Sequence, residues 1–499
     1  MLETLLDEID GMLSANGKSM LDLNKALEAT PGAMFDMATM TGGRTLQLEN
    51  VHPSLIKVIY DMNTFTISKT IPQETMPRIV DRFTRQTSFG ALGGRNPLGS
   101  VSTETGMPFS KDVTLKHFVK ECKFQRMVNT ISHVVSTSQN EIDPNRVMND
   151  SAARFIANSN ERQMIFGDES LLGDEYDGLI TQITDMQAEA VDGTTWNRQA
   201  DVVLDLRGGN LSEENLVESA EKISLNYGEV DKMILPLELK ADIDERFLKN
   251  TIRAMTPFAA GTAKKLSAGA PISHYNSSFA KNGEIEFIHN RYMPNGNNKA
   301  SKCPTAAIGV TSAGIAIAPV TTVVLADAGA IAGSLWTAAD AGNYFYKVVV
   351  RSIDGSSAPY GTGAAYTYDG TAGHATNITI TIPGVHPLDG TFCYDVYRSN
   401  KNATDDSDCR FIGSVVDATG AVFVDKNLDI PGTACAFLLD TQPEVLSFRR
   451  LLPFTRIQMP FAYNSQFGQS YAYLLYGYLR ILKPSMLMIK NIKVDSTWF

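Results

Sequence analysis

The residues that could carry acid–base, nucleophilic or metal chemistry are scattered along this chain. Seven histidines (His52, His117, His133, His274, His289, His374 and His386) show no metal-ligand spacing. Five cysteines (Cys122, Cys303, Cys393, Cys409 and Cys435) make an odd number without a CxxC pair. That pattern fits reduced cytosolic thiols better than a disulfide framework or a zinc ribbon. Gly94-Arg95-Asn96-Pro97-Leu98-Gly99-Ser100 has the glycine spacing of a phosphate-cradling loop but lacks the lysine that would reach the phosphates. There is no GxSxG elbow and no HExxH helix. Asp405-Asp406-Ser407-Asp408 could gather a cation or form a solvated loop, and the sequon Asn377-Ile378-Thr379 has no secretory route to make use of it. No catalytic, cofactor-binding or metal-binding residue is assigned, and the chain is not expected to be an enzyme.

The elements that would have to position any such residues belong to a large globular chain. Its 499 residues are 43% hydrophobic and 20% charged, enough for two to four domains with real cores. The net charge of −11 argues against general nucleic-acid binding. Glu3, Asp7, Glu8 and Asp10 stand where a signal peptide needs a basic and then an apolar stretch. The 24 uncharged residues between Lys302 and Asp327 could span a bilayer by length. Pro319, two glycines and five Thr or Ser residues within them favour strands and linker instead.

Along the chain, Leu2, Leu5, Leu6, Ile9, Met12 and Leu13 line one face of an expected helix. Thr87 to Asp112 is glycine-rich and reads as a long loop, followed by one two-sided strand over Val113–Phe124. Asp143-Pro144 opens a helix that should stop at Gly167. Its expected stripe is Val147, Met148, Ala152, Phe155 and Ile156, interrupted by the polar run Asn158–Glu161. Ser212 should cap a helix with Leu216, Ala220, Ile223 and Tyr227 along one face, ended by Gly228. Met233-Ile234-Leu235 reads as a buried strand, and Pro236 as the start of another helix. From Phe287 to Pro443 there is no Glu, and from Pro294 to Gln458 no Met. Within 304–436, twelve Asp against six Lys and Arg leave a local charge of −6. This segment reads as a β-sandwich of short strands inserted into a host sheet that the C-terminus completes. Cys303 and Cys435 flank it, either as spatial neighbours or as two unpaired thiols.

This order of parts resembles the major capsid proteins of tailed bacteriophages with the Hong Kong 97-type fold. The residues that carry it are Thr87–Phe124, the helix opened by Asp143-Pro144, Met233-Ile234-Leu235-Pro236, and Tyr471–Arg480 running into Leu482-Lys483-Pro484. The insert resembles an immunoglobulin-like or fibronectin type III module through Tyr344–Val350, Tyr394–Ser399, Val424–Asn427 and Pro431-Gly432-Thr433. The implied fold class is α+β with an inserted all-β sandwich. Its parts are an N-terminal arm (1–77), an extended loop (78–125), a peripheral domain with a spine helix (126–209), an axial domain (210–303), the insert (304–436) and a return to both host domains (437–499). The short run before the loop implies a separate scaffolding protein or one confined to the first ~40 residues.

The resemblance implies a shell subunit, arranged in hexamers and pentamers, that encloses double-stranded DNA without reading its sequence. It implies no cofactor and no membrane, with scaffolding, portal and decoration proteins as partners, a place in the virion capsid, and assembly in the host cytoplasm. The extended loop would reach a neighbouring subunit. Leu98, Val101 and Phe109 would be buried there, and Arg95, Lys111, Lys116 and Lys120 would meet acidic groups. The acidic insert would face outward, away from DNA. Two other readings stay open: a carbohydrate-binding surface or adhesion protein, with Trp336 and Tyr366 stacking on sugars, and an encapsulin-like nanocompartment shell.

Overall fold

The computed structural model describes residues 65–88, 104–106, 114–132, 135, 144–189, 202–250, 274–293, 302–309, 317–352, 355–381, 392–416, 421–459 and 468–494. Those up to 132 and from 148 onward belong to one compact unit. The expected N-terminal helix over Leu2–Leu13 and the glycine-rich tip of the loop lie outside the described residues.

The helices are α1 (Ile67–Thr70), α2 (Pro144–Phe166), α3 (Leu179–Glu189), α4 (Glu213–Leu225) and α5 (Leu237–Asn250). The first strands are β1 (Gln73–Thr75), β2 (Val80–Ser88), β3 (Thr114–Glu121), β4 (Lys123–Ser132), β5 (Val203–Asp205), β6 (Lys232–Pro236), β7 (His274–Asn276) and β8 (Glu284–Asn290). A β-rich middle follows, with β9 (Thr322–Ala330), β10 (Gly342–Tyr344), β11 (Tyr346–Ser352), β12 (Gly355–Ser356), β13 (Tyr360–Gly361), β14 (Tyr366–Tyr368), β15 (His374–Thr381), β16 (Cys393–Arg398), β17 (Arg410–Val416) and β18 (Val422–Asp425). The chain ends with β19 (Thr433–Leu439), β20 (Leu446–Gln458), β21 (Gly468–Ile481) and β22 (Leu487–Lys493).

A mixed six-stranded sheet runs in the order β5-β22-β19-β6-β8-β7. Its central strands are apolar throughout because helices cover them: Met233, Leu235, Leu438 and Ile489 share one core with Leu216, Ala220 and Ile223 of α4 and Leu239 and Ile243 of α5. Each large aliphatic side chain so buried contributes ~1.5–3 kcal/mol. Ser212 caps α4 by accepting from the Asn215 N–H at 3.3 Å. Tyr227, expected on the same helical face as Leu216, Ala220 and Ile223, is instead 93% exposed. The helix has already ended, and Tyr227 takes φ +62° as the chain turns. Gly228 then passes so close to Ser485 that a Cβ would lie 2.2 Å from the serine Cβ.

The second host sheet is β1-β20-β21-β4. Ile131 of β4 and Tyr471 and Tyr473 of β21 pack on Ala152 and Ile156 of α2. The single strand expected over Val113–Phe124 is divided. Cys122 is buried, its N–H bonds the Ile79 carbonyl at 2.9 Å, and the chain leaves the β2–β3 ribbon there to join a different sheet. Between β8 and β19, which both lie in the six-stranded sheet, the middle strands form a β12-β11-β16-β17 sheet with β13 at its side, a β18-β15-β9 sheet and the β10–β14 pair. Val348, Val350, Tyr394 and Val396 of the first pack with Ile378 and Ile380 of the second.

Candidate assembly surface

The β2–β3 ribbon has two unlike faces, because side chains alternate along paired strands. One carries Asp81, Phe83 and Arg85, opposite Lys120, Phe118 and Lys116. The other carries Val80, Arg82, Thr84 and Gln86, opposite Glu121, Val119, His117 and Leu115. The first face is spent on the chain itself. Phe83 stacks on Phe118 at 5.4 Å, and the Arg85 guanidinium lies 4.2 Å above the Phe118 ring. That guanidinium also donates to the Ile481 and Leu482 carbonyls at 2.7 and 3.0 Å. Among the described residues nothing covers the second face: Leu115 and Val119 are each 55% exposed and Val80 47%; Ile79, just before the ribbon, is 53% exposed. Exposed apolar side chains interleaved with Arg82, His117 and Glu121, on a ribbon held from behind, make this face a candidate contact surface.

Charge fixes the root of the ribbon. Asp81 accepts from the Tyr478 hydroxyl at 2.6 Å and from Arg449 Nε at 3.3 Å. Glu74 accepts from Arg449 at 2.9 Å and from Arg480 at 2.8 Å. Two carboxylates answered by two guanidiniums form a structural network. Burial, and then the hydrogen bond to Asp81, push the Tyr478 phenol up.

The loop that follows α2 ties several elements together. Gly178 N–H donates to the Gly167 carbonyl at 2.8 Å. A Cβ on Gly167 would lie 2.1 Å from the Tyr176 carbonyl oxygen, so this crossing requires glycine. Within the loop Asp177 pairs with Lys120 of the ribbon, and Glu169 with Lys123 at 2.8 Å. Glu175 reaches Arg351 of β11 at 3.2 Å, and Arg351 in turn pairs with Asp395 of β16 at 3.0 Å. Burial raises the Glu175 carboxyl, an effect that Arg351 opposes. The polar interruption of α2 has a use that periodicity missed. Glu161 is fully buried and accepts from the Ile67 N–H at 2.7 Å, the Ser68 N–H at 3.0 Å and Asn290 Nδ2 at 2.7 Å. It thereby holds α1 and the end of β8 to the long helix. Burial pushes its carboxyl up, against those same donors. Phe155, expected in the apolar stripe, is exposed.

On its other side the β-rich middle is gripped by Arg207, which donates to the carbonyls of Asn427 at 2.7 Å and Leu335 at 3.0 Å. Asn491 donates to the Leu428 carbonyl at 2.8 Å and accepts from the Ile430 N–H at 2.9 Å. Inside, Arg398 and Asp425 form a buried pair at 2.5 Å, with Trp336 tilted over Tyr368 at 4.6 Å. Trp336 is therefore core rather than a platform for sugars. Asp405 bonds the Ser407 N–H and hydroxyl, Asp406 meets Lys347 and Asp408 meets Arg410, so the acidic run answers its own neighbours. Among the described residues no group of His, Cys, Asp and Glu could hold a metal ion, and no helix is long and apolar enough to cross a membrane.

Of the residues expected at the arm contact, Arg95, Leu98, Val101, Phe109 and Lys111 lie outside the described residues. Lys116 extends over the Phe118 ring at 5.2 Å, and Lys120 is engaged by Asp177 of its own chain. The exposed residues of the ribbon, Val80, Leu115 and Val119, were not singled out for contact from the sequence. Their alternation was readable, but which face the chain itself would cover was not.

No protein-family model matches the chain. It is 24% identical over 408 residues to the major capsid proteins of Staphylococcus phage S25-3 and Staphylococcus phage K, covering 78% of this chain and 78% of each relative. It is 24% identical over 413 residues to a putative major capsid protein of Enterococcus phage phiEF24C, covering 79% of each. Among solved structures, the capsid of a native GTA particle aligns with a TM-score of 0.46 at 8% identity, over 92% of this chain and 100% of that one. The SrpI encapsulin of Synechococcus elongatus aligns at 0.39 and 9%, over 93% and 98%. The sequence relatives support a phage major capsid protein, structural and not enzymatic.

Proposed function

We propose that this chain is the shell subunit of a tailed phage with a Hong Kong 97-type fold, and that many copies close into an icosahedral head around double-stranded DNA. The observation that carries the reading is the one-sided ribbon. Arg85, Asp81 and Lys120 hold its back to the chain's own body, while Ile79, Val80, Leu115 and Val119 face water. A neighbouring copy supplies the missing cover, in a heterologous contact repeated around a ring. A stable contact of this kind buries on the order of 1,000 Å² or more.

The segment 304–436 acts in this reading as an immunoglobulin-like module facing outward. Its charge of −6 is better placed away from packaged DNA, and the Arg207, Asn491 and Glu175 contacts hold it in a set orientation. Scaffolding, portal and decoration proteins are the expected further partners.

The test is the double substitution Leu115→Glu, Val119→Glu in the full chain. Both sites are exposed, so the thermal midpoint should stay near that of the wild type. Size-exclusion chromatography and negative-stain microscopy should find megadalton particles for the wild type and none for the variant. Normal particles from the variant would remove the ribbon from the assembly mechanism. DNA inside the wild-type particles is expected; a shell filled with protein would support a nanocompartment instead.

A further inference from the structure

Lys302 bridges Arg410 in antiparallel register, and one residue further in the Cys303 N–H donates to the Cys409 carbonyl at 3.1 Å. The two cysteines therefore face each other beside this isolated bridge, joined by one backbone hydrogen bond. Directly opposite hydrogen-bonded residues have Cα atoms about 5.5 Å apart. A disulfide tolerates roughly 4.4–6.8 Å. Both side chains pack in one small cluster with Val349 and Tyr397, and both thiols are free. Cys435 belongs to a separate core beside Phe437, so the two cysteines that flank the middle segment are not the pair the fold brings together.

We propose that Cys303 and Cys409 are a latent disulfide that staples the chain entering the β-rich middle to β17. Dissolved oxygen is the two-electron acceptor. Two S–H bonds break and one S–S bond forms, and oxygen leaves with both protons and both electrons as hydrogen peroxide. The Cys409 thiol, whose S–H points to the Phe345 carbonyl at 3.6 Å, gives up that weak bond in exchange. Burial holds both thiols up at about 12, against the pull of Lys347, so little thiolate is present and closure is slow without an added oxidant. The closed loop encloses β9 to β16, so the bond restrains most of the segment in its unfolded state. The inference does not depend on whether the chain forms shells.

The test uses the full wild-type chain, purified in reductant, exchanged into aerated buffer and treated with copper(II)–phenanthroline. After unfolding, the thiol count should fall from five to three, and a non-reducing digest should contain one peptide linked through Cys303 and Cys409. Reductant should restore all five thiols. Cys303→Ser should retain its four thiols, with the Cys409→Ala variant as a check should the first fail to fold. Five persistent thiols, a link to Cys393 or Cys435, or a link between two chains would each overturn the assignment.

Discussion

Replacing Arg351 with Met removes one charge from a three-membered junction and keeps most of its volume. Arg351 lies between Glu175, at 3.2 Å, and Asp395, at 3.0 Å. Those carboxylates keep only 14% and 9% of their side-chain surface, so water cannot replace the guanidinium. Removing one partner of such a buried group costs about 3–5 kcal/mol, because the remaining charge is stranded. At ~1.4 kcal/mol per tenfold, that corresponds to local opening at least about a hundred times more frequent. Hydrogen exchange read by mass spectrometry should report it in β11, β16 and residues 168–177. The sign of the pH dependence identifies the cause. The Glu175 carboxyl is raised in the folded chain, so its contribution to stability is fully present below the ordinary carboxylate range and is lost as pH rises through its raised value. Without Arg351 the carboxyl rises further. The penalty should then be largest at pH 7 and shrink on acidification toward pH 5, as the stranded Glu175 carboxylate takes up a proton. A penalty under ~1 kcal/mol, or one equal at both pH values, would mean that packing alone holds the junction.

Glu161→Ala should cost about 2–4 kcal/mol in urea unfolding, because it strands the Ile67 and Ser68 N–H groups; Glu161→Gln, which keeps an acceptor, should cost less than half of that. Gly167→Ala drives a methyl into the Tyr176 carbonyl, and should lower stability by ~1–3 kcal/mol with exchange concentrated in residues 167–178. Excising 304–431 and joining the ends, which leaves β19 whole, should still yield particles under the electron microscope, since β8 and β19 both pair with β6; failure to assemble would make the segment structural.

The middle segment announces itself in composition, and alternation such as Ile378 and Ile380 with Thr379 and Thr381 marks a strand with one face on a core. The same logic located α2, α4 and β6, whose caps and apolar spacings are local signals. The absence of catalytic spacing was equally legible. What local signals could not carry was partnership at long range. Glu161 read as an interruption because nothing nearby reveals that Ile67 and Asn290 will return to meet it. The strand through Cys122 read as continuous because only the fold assigns its two halves to different sheets.

Sequence by itself determined which residues are apolar, where helices begin and which strands alternate, since these depend on neighbours a few positions away. Tertiary structure alone decided which face of the β2–β3 ribbon is covered, that Lys120 is claimed by Asp177, and that Cys303 stands across from Cys409 rather than near Cys435. Those outcomes depend on which distant segments share a neighbourhood. That choice is made by the burial of whole sheets and helices, and no single stretch of chain encodes it.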